Sequence, residues 1–215
     1  MRKLVLSSII LMAVSTLNAA NVFSENFEGS TVGFYSIAGT PTVTGSIFTL
    51  IGNSGTADVV GPTDYGWLCA APGASGKCLD TTGSGTRGTI ETVLSYSFLA
   101  NTTYTFSIGI TRWNDTVNGG GLNDANLRIN IGSFFSNSYA VNSGWVNGIV
   151  VETFTVGSVG GLAKLTITDT SGTAGFAGAI IDNISLDQGI IVPEPSSYAL
   201  IGSGVAALFF ARRKR

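Results

Sequence analysis

The chain contains no histidine, only two cysteines and few charged residues, which make up 11% of its 215 positions. Without histidine, the chain lacks the commonest general base and the commonest ligand of transition metals. Two cysteines are too few for a thiolate zinc site, and a nucleophilic cysteine would have no histidine beside it as a base. These absences exclude several classes of hydrolase and of metal-dependent enzyme.

Basic residues are scarce in the long middle of the chain. Between positions 21 and 195 there are five basic residues and thirteen acidic ones, which leaves a net charge of −8. Nucleic acid binding needs a basic face, so this balance argues against a nucleic acid partner. The acidic excess is compatible with divalent cations. The same region contains no repeat of fixed period and no helical periodicity over 10 or more residues.

What the middle region does contain is the alternation that is typical of β-strands. In residues 103–111, apolar side chains occupy one face of a strand and small polar side chains the other. Similar runs occur at 21–27, 46–51, 89–98, 125–131, 145–155, 163–168 and 179–186, with turn-rich pieces at 81–88, 118–121 and 169–175. We therefore predict one all-β domain over residues 21–190, an antiparallel β-sandwich of the jelly-roll kind.

The first 20 residues have the layout of an export signal. Arg2 and Lys3 give a positive start, residues 4–14 an apolar core, and residues 15–20 a region of small side chains. This layout predicts a signal-peptide helix that the Sec translocon accepts and signal peptidase removes after Ala19 or Ala20. A retained anchor is the alternative, although the apolar core is short for a membrane span.

The last 25 residues, 191–215, combine a rigid motif, an apolar run and a basic end. In residues 192–195, Pro193 and Pro195 flank Glu194 and force an extended backbone. The uncharged run 196–211 would measure about 24 Å as a helix, against a hydrocarbon core of about 30 Å. We predict a transmembrane helix at 197–211. The basic end then stays cytoplasmic and places the domain outside; its residues are Arg212, Arg213, Lys214 and Arg215.

This tail resembles the PEP-CTERM sorting tail of Gram-negative bacteria. The resemblance covers about two dozen residues and implies processing by an exosortase, an integral-membrane enzyme that cuts near the motif. It also implies export through the inner membrane, anchoring by the C-terminal helix until cleavage, and a final place at the cell surface or outside it. Proteins with this tail are associated with exopolysaccharide and biofilm matrix. The alternative is a plain C-terminal anchor.

A second resemblance covers most of the exported domain. The opening Glu-Asn-Phe-Glu-Gly at 25–29, the segment 100–110 and the closing Ile-Asp-Asn-Ile-Ser-Leu at 181–186 are similar to the galactose-binding-like jelly rolls of many carbohydrate-binding modules. This resemblance implies a β-sandwich that binds extracellular polysaccharide without catalysis. In such folds the first and last strands lie side by side.

Asp182 raises a physical question because it shares its predicted strand face with Ile180, Ile184 and Leu186, which should be buried. A carboxylate turned inward must be paired, hydrogen-bonded or bound to a metal. The second resemblance would bring Glu28 close to Asp182 at a structural Ca²⁺, and these two carboxylates with carbonyl oxygens from the turn at Gly29 would supply several of its six to eight ligands. The alternatives are that Asp182 accepts turn amides at a strand end, or that the strand turns its other face to the core.

Cys69 and Cys78 enclose a loop that contains proline and glycine. In an exported protein, a pair at this spacing is more often a disulfide than two free thiols. We predict that this disulfide holds a surface loop.

Loop aromatics are the candidate sugar contacts, since an aromatic face stacks on the apolar face of a sugar ring. The aromatic candidates are Tyr65, Trp67 and Trp113, and Asn114 beside Trp113 is a candidate to bond sugar hydroxyls. Core or rim packing is the alternative for each aromatic, and for Trp145, which opens a predicted strand. Asp115 and Asp124 flank a glycine-rich loop and are the one candidate pair for glycoside hydrolysis. Nothing in the sequence brings them together, so we predict no catalytic residue.

Three functions remain. The first is a non-enzymatic surface or matrix protein that binds extracellular polysaccharide after exosortase processing. The second is a purely structural or adhesive matrix protein. The third, a secreted hydrolase, needs acidic residues clustered in a deep cleft.

Overall fold

The computed structural model describes residues 19–62, 69, 76–83, 86–115, 121–141, 148–170 and 178–189. Within these ranges the chain forms fifteen β-strands and no helix. None of the described residues therefore belongs to a helix that could cross a membrane. The strands are β1 Ala20–Glu25, β2 Gly33–Ser36, β3 Phe48–Ile51, β4 Thr56–Val60, β5 Cys78–Asp80, β6 Thr89–Thr92, β7 Tyr96–Phe98, β8 Thr103–Asp115, β9 Gly121–Asn123, β10 Ala125–Ile131, β11 Phe135–Val141, β12 Gly148–Thr155, β13 Gly161–Ala163, β14 Leu165–Asp169 and β15 Ala179–Gln188.

The larger sheet has eight strands, and its pairings are antiparallel. Six strands follow the order β12-β8-β15-β5-β4-β2, while β9 pairs with the far end of β8. The last strand, β15, has two partners along its other edge: β5 next to its beginning and β1 next to its end. The first and last strands of the domain therefore lie side by side.

The second sheet has five strands in the order β11-β10-β14-β6-β3, and β7 pairs with β13 in a separate two-stranded ribbon. One hydrophobic core lies between the two large sheets. Its members include Phe106 and Ile108 of β8 on one side and Leu127 and Ile129 of β10 on the other, all fully buried. The predicted antiparallel β-sandwich is confirmed.

The alternation of β8 explains how one strand serves both the core and the surface. Tyr104, Phe106, Ile108 and Ile110 are each fully buried. Their neighbours Thr103, Thr105 and Ser107 point away from the core, as the period of two requires. The strand extends beyond the predicted 103–111 to Asp115, and β10 has the bounds that the sequence predicts.

Two predicted features of the chain differ from the structure. The run 89–98 was predicted as one strand, but it divides into β6 in the five-stranded sheet and β7 in the ribbon, because residues 93–95 leave the sheet between them. Gly121, predicted in a turn, begins β9. Five further strands had no counterpart in the prediction: β2, β4, β5, β9 and β11. A sixth, β13, overlaps the predicted run 163–168 only at Ala163.

A β-bulge in β15 corrects the predicted position of Asp182. Asp182 is opposite Gly109 of β8 and Ser185 is opposite Ser107, so β15 uses three steps where β8 uses two. The extra residue reverses the alternation of faces. Ile181 and Ile184 therefore both enter the core, whereas Ile180 packs outside it with Val60 and the two cysteines. The prediction that Asp182 shares a face with Ile184 and Leu186 is wrong, although Asp182 is buried.

Ala20–Gly189 forms one compact unit. The remainder of the chain, Met1–Ala19 and Ile190–Arg215, forms a second unit, of which only Ala19 is among the described residues. The predicted signal peptide (apart from Ala19 and Ala20), transmembrane helix and basic end therefore lie outside the described residues.

Candidate functional site

A cleft of about 420 Å³ opens on the outer face of the eight-stranded sheet. Residues of β1, β8, β12 and β15 line it, together with Asn26, which follows β1: Ser24, Glu25, Asn26, Ser107, Ile149, Asn183, Ile184 and Ser185. Ligand sites for small molecules commonly measure about 300–1,000 Å³. The cleft is therefore within the size range of small-molecule sites.

A row of three serines crosses this cleft. Ser24 of β1 is opposite Ser185 of β15, and Ser185 is opposite Ser107 of β8. The hydroxyls of Ser107 and Ser185 are hydrogen-bonded at 2.8 Å. Each hydroxyl has one proton and two lone pairs, so the pair keeps unused hydrogen-bonding capacity for a ligand. The exposed side chain of Ile149 adds an apolar wall beside this row.

Two residues with left-handed backbone conformations shape one side of the cleft. Asn183 sits in the bulge of β15 with φ 47°, and Phe27, just after β1, has φ 54°. Asparagine adopts this conformation readily, but a bulky residue such as phenylalanine does so rarely. Phe27 is fully buried, and its backbone N–H donates to Glu25 Oε1 at 2.7 Å. Packing and this hydrogen bond hold the strained turn in place.

Glu25 is the one carboxylate among the described residues that line the cleft. It accepts hydrogen bonds from the backbone N–H of Phe27 and Ile47 and from the Ser46 hydroxyl, at 2.7, 2.8 and 2.6 Å. Three donors satisfy a carboxylate and fix its orientation. The Glu25 carboxylate therefore binds the loop before β3 and has a structural role. A glycosidase would need a second carboxylate on the other side of the site.

Asp182 lies next to the cleft, and its surroundings disfavour the ionised form of its carboxylate. Burial raises the pKa of Asp182 to about 7, and the negative charges of Glu28 and Glu25 act in the same direction. The backbone N–H of Asn183, which donates to Asp182 Oδ1 at 2.7 Å, opposes this rise. A nearby cation would favour the ionised carboxylate.

Lys77 supplies a cation beside Glu28. Its ammonium donates to the backbone carbonyl oxygens of Glu28 and Ser30, at 3.0 and 2.6 Å, and its backbone N–H donates to Glu28 Oε1 at 3.0 Å. These two carbonyls flank the turn at Gly29 that was predicted to help bind Ca²⁺. Within the described ranges, no three acidic or cysteine side chains come together as metal ligands. Calcium at Glu28 and Asp182 stays a prediction.

Cys69 and Cys78 form the predicted disulfide, with sulfur atoms 2.08 Å apart. Both cysteines are buried against Val60 and Ile180. Cys78 directly follows Lys77 and begins β5, so the disulfide lies at the end of the segment that contacts Glu28. Residues 70–75 of the enclosed loop lie outside the described residues.

A second buried carboxylate lies away from the cleft. Asp80 of β5 is directly opposite Asp58 of β4. Its Oδ1 accepts from the backbone N–H of Thr82 and Gly178, whereas Oδ2 has no hydrogen-bond partner in the described part of the protein. Burial raises the pKa of Asp80 to about 8, and the charge of Asp58 adds to that rise. The neutral acid is therefore the favoured form at pH 7.

The other predicted site residues can be placed only in part. Tyr65, Trp67 and Trp145 lie outside the described residues, as do the sorting motif and the basic end: Pro193, Glu194, Pro195, Arg212, Arg213, Lys214 and Arg215. The backbone of Trp113 and Asn114 belongs to the end of β8, opposite Asn123 and Leu122 of β9. Asp124, one of the two candidate catalytic acids, is paired with Arg112 at 2.8 Å.

The sequence predicted aromatic sugar contacts on loops and did not predict the serine row. The polar face of residues 103–111 was visible as an alternating pattern, and it does contain Ser107. What the pattern could not show was the register that places Ser185 and Ser24 beside Ser107, because register depends on the bulge in β15.

The C-terminus contains a known targeting signal. Residues 192–215 match the PEP-CTERM protein-sorting motif, which confirms the predicted resemblance of the tail to that motif. The match covers the tail and leaves the β-sandwich unassigned. A comparison with curated proteins finds no match.

Solved structures are similar to the domain at low sequence identity. A cyclase from Fischerella sp. TAU is 14% identical, with 80% of this chain and 98% of the cyclase covered, at a TM-score of 0.53. A carbohydrate-binding module from Cellvibrio mixtus lichenase 5A, in complex with cellotriose, is 11% identical, with 80% and 100% covered, at a TM-score of 0.41. The xylanase 10B modules of Clostridium thermocellum, complexed with xylohexaose, are 11% identical at a TM-score of 0.42. The match covers 80% of this chain and 29% of theirs.

Proposed function

We propose that this chain is an exported, non-enzymatic surface or matrix protein that is processed by an exosortase and binds a glycan in the serine-lined cleft. The observation that carries the export and processing part is the match of residues 192–215 to the PEP-CTERM sorting motif. The β-sandwich over Ala20–Gly189 is then the cargo that the tail delivers.

The order of events follows from the chemistry of the two ends. The Sec translocon takes the N-terminal signal, and signal peptidase removes it. The uncharged run 196–211 then stops in the inner membrane, with the four basic residues on the cytoplasmic side. The extended segment around Glu194 remains outside, where an exosortase can cut it. Cleavage there releases the domain to the cell surface or the surrounding matrix.

Glycan binding is supported by what the cleft offers. Sugars present hydroxyl groups around the ring and apolar C–H faces above and below it. The row of Ser24, Ser107 and Ser185 can bond hydroxyl groups, and Ile149 can cover an apolar face. Extracellular polysaccharide is the glycan that an exported protein with this tail would meet. We therefore place the protein in the exopolysaccharide or biofilm matrix.

A non-catalytic role is supported by the contacts of two carboxylates, Glu25 in the cleft and Asp124 elsewhere in the domain. Glu25 is held by three donors, and Asp124, a candidate acid in the sequence, is neutralised by Arg112. Glycoside hydrolysis needs two carboxylates on opposite sides of the sugar bond. The described residues that line the cleft provide one.

Calcium is a secondary proposal for the region beside the cleft. Burial and the charge of Glu28 raise the pKa of Asp182. A divalent cation bound between the two carboxylates would stabilise their ionised forms and lower that pKa. Lys77 would have to release the carbonyl oxygens of Glu28 and Ser30 to make room for the ion.

Two measurements test the proposal separately. Intact mass spectrometry of the protein from exosortase-positive cells should find a product that begins near Asn21 and ends near Pro195. A C-terminus still at Arg215 in those cells would overturn the processing part. Retention of the purified protein on the polysaccharide of its own organism tests glycan binding. A folded protein that binds no glycan on a broad array would leave a structural or adhesive role.

A further inference from the structure

Three exposed aliphatic side chains lie on and beside the ribbon formed by β7 and β13. Leu162 is 74% exposed, Val159 is 77% exposed and Leu99 is 44% exposed. Leu162 belongs to β13, Val159 precedes that strand, and Leu99 follows β7. We call these three residues the apolar tip. Exposed aliphatic side chains that cluster are more informative than single ones, because clusters mark surfaces that bind something.

The register of the ribbon places two of these side chains on one face. Gly161 is opposite Phe98 and Leu162 is opposite Ser97. Ser97 belongs to β7 and Leu99 lies one residue past its end, so the alternation of the strand turns both towards the side that Leu162 occupies. Phe98 and Ala163 point to the other side and are buried. The ribbon therefore fills the core with one face and presents Leu99 and Leu162 to the exterior with the other.

The apolar tip lies at the end of the sandwich from which the chain leaves for its C-terminal tail. The backbone N–H of Gly189 donates to the carbonyl oxygen of Thr103 at 2.7 Å, so the end of β15 lies beside the start of β8. At the same end, Asn101 donates to Gly157 and Val156 donates to Thr102, both at 3.0 Å. These bonds connect the segments on either side of the tip to the strand ends next to Gly189.

The chain itself limits how far this end can move from a membrane. Two residues separate Gly189 from the matched sorting segment at 192–215, and seven separate it from the predicted transmembrane start at 197. Seven residues span at most about 25 Å when fully extended. A tether of this length keeps the domain end at an effective concentration on the order of millimolar or higher at the bilayer surface.

We propose that the apolar tip rests on the lipid bilayer while the C-terminal helix anchors the unprocessed protein. The segments 97–102 and 157–163 contain no charged residue, so nothing in them opposes contact with the interface. This inference rests on the proposed function, since it requires the tail to be inserted. Cleavage of the tail then removes the tether that makes weak apolar contact with the bilayer sufficient.

The test places an environment-sensitive fluorophore on a single added cysteine in the full chain, with the native disulfide kept oxidised. Leu162→Cys probes the tip, and Phe34→Cys, on the edge strand β2 and 53% exposed, is the matched control. Both are reconstituted by their tails into vesicles of phosphatidylethanolamine with a minority of phosphatidylglycerol. We expect a blue-shifted emission that lipid-borne quenchers reduce at position 162, and neither effect at position 34.

The outcomes separate this inference from the proposed function. A chain that does not float with the vesicles contradicts the anchoring itself. A chain that floats but shows no lipid quenching at position 162 overturns the inference alone. Emission that shifts with protein concentration but escapes the lipid quenchers assigns the tip to a second copy of the chain, which also overturns it. A Leu99→Ser/Leu162→Ser variant should still float with the vesicles. A fluorophore on Val159→Cys should be quenched by the lipid-borne quenchers in the otherwise unmodified chain, but not in this double variant.

Discussion

Ser107 and Ser185 share a hydrogen bond of 2.8 Å between their hydroxyls, directly across the β8–β15 pair. The same sheet contains a second pair of this kind, Thr103 and Thr155, whose hydroxyls are 2.9 Å apart across β8 and β12. The serine pair lines the cleft and the threonine pair does not. The Thr103–Thr155 pair can therefore serve as a control for the role of the serine pair in the cleft.

Removing the serine hydroxyls should weaken glycan binding. Each hydrogen bond lost to a ligand costs about 0.5–1.5 kcal/mol, so Ser107→Ala/Ser185→Ala should lower affinity for a retained glycan by roughly 5- to 150-fold. The Thr103→Val/Thr155→Val variant should bind as the unmodified protein does. Affinity electrophoresis or calorimetry with the retained polysaccharide measures both. Equal losses in the two variants would place the glycan elsewhere on the sheet.

Asp80 should make the fold less stable as the pH rises towards 8. The pKa of Asp80 is raised to about 8 in the fold, against 3.8 for the ordinary carboxyl. Below about pH 4 both states hold the proton, and between pH 4 and 8 the unfolded chain releases it while the folded one keeps it. The free energy of unfolding therefore falls over this window, by at most about 1.4 kcal/mol per pH unit from this group.

The Asp80→Asn variant isolates that effect from Asp182, whose pKa of about 7 acts in the same direction. Asparagine keeps the oxygen that accepts from Thr82 and Gly178 and cannot ionise. Urea unfolding should give a shallower decline with pH for the variant and a larger free energy of unfolding than the unmodified protein at pH 8. Parallel curves from pH 5 to pH 8 would show that Asp80 ionises in the fold as it does in the unfolded chain.

Loss of the Cys69–Cys78 disulfide should destabilise the domain by about 2–3 kcal/mol. The bond closes a short loop, its two cysteines being 9 positions apart, and a loop of about ten residues gives that magnitude from chain entropy. Denaturant unfolding with and without a reductant measures the change. The Cys69→Ala/Cys78→Ala variant should match the reduced protein and ignore the reductant. Release of two thiols without any shift of the midpoint would contradict the expectation.

The sequence predicted the sandwich because its central strands bury one face and expose the other. The apolar–polar alternation in β8 and β10 needs no tertiary information to be recognised. Strand β4 has nearly all its residues buried and β5 has only three, so neither shows that alternation. Asp182, beside the site, shows the same limit of prediction from local sequence patterns. Its burial could be inferred from its neighbours, but its face depends on one extra residue in β15, which no local pattern reveals.

Calcium binding at Glu28 and Asp182 should be limited by the ammonium of Lys77. That ammonium occupies the carbonyl oxygens of Glu28 and Ser30 and adds a positive charge where the ion would sit. Lys77→Met keeps the length of the apolar stem and removes the charge, so it should bind Ca²⁺ at least about tenfold more tightly than the unmodified protein. A gain of that size corresponds to about 1.4 kcal/mol.

Adding Glu28→Gln to this variant should remove the gain, and Lys77→Arg should resemble the unmodified protein. Calorimetric titration with Ca²⁺, and with Mg²⁺ as the competing ion, measures the four proteins. If Lys77→Met takes up no Ca²⁺, Asp182 is satisfied by the N–H of Asn183 and by its own protonation, and the region holds no metal.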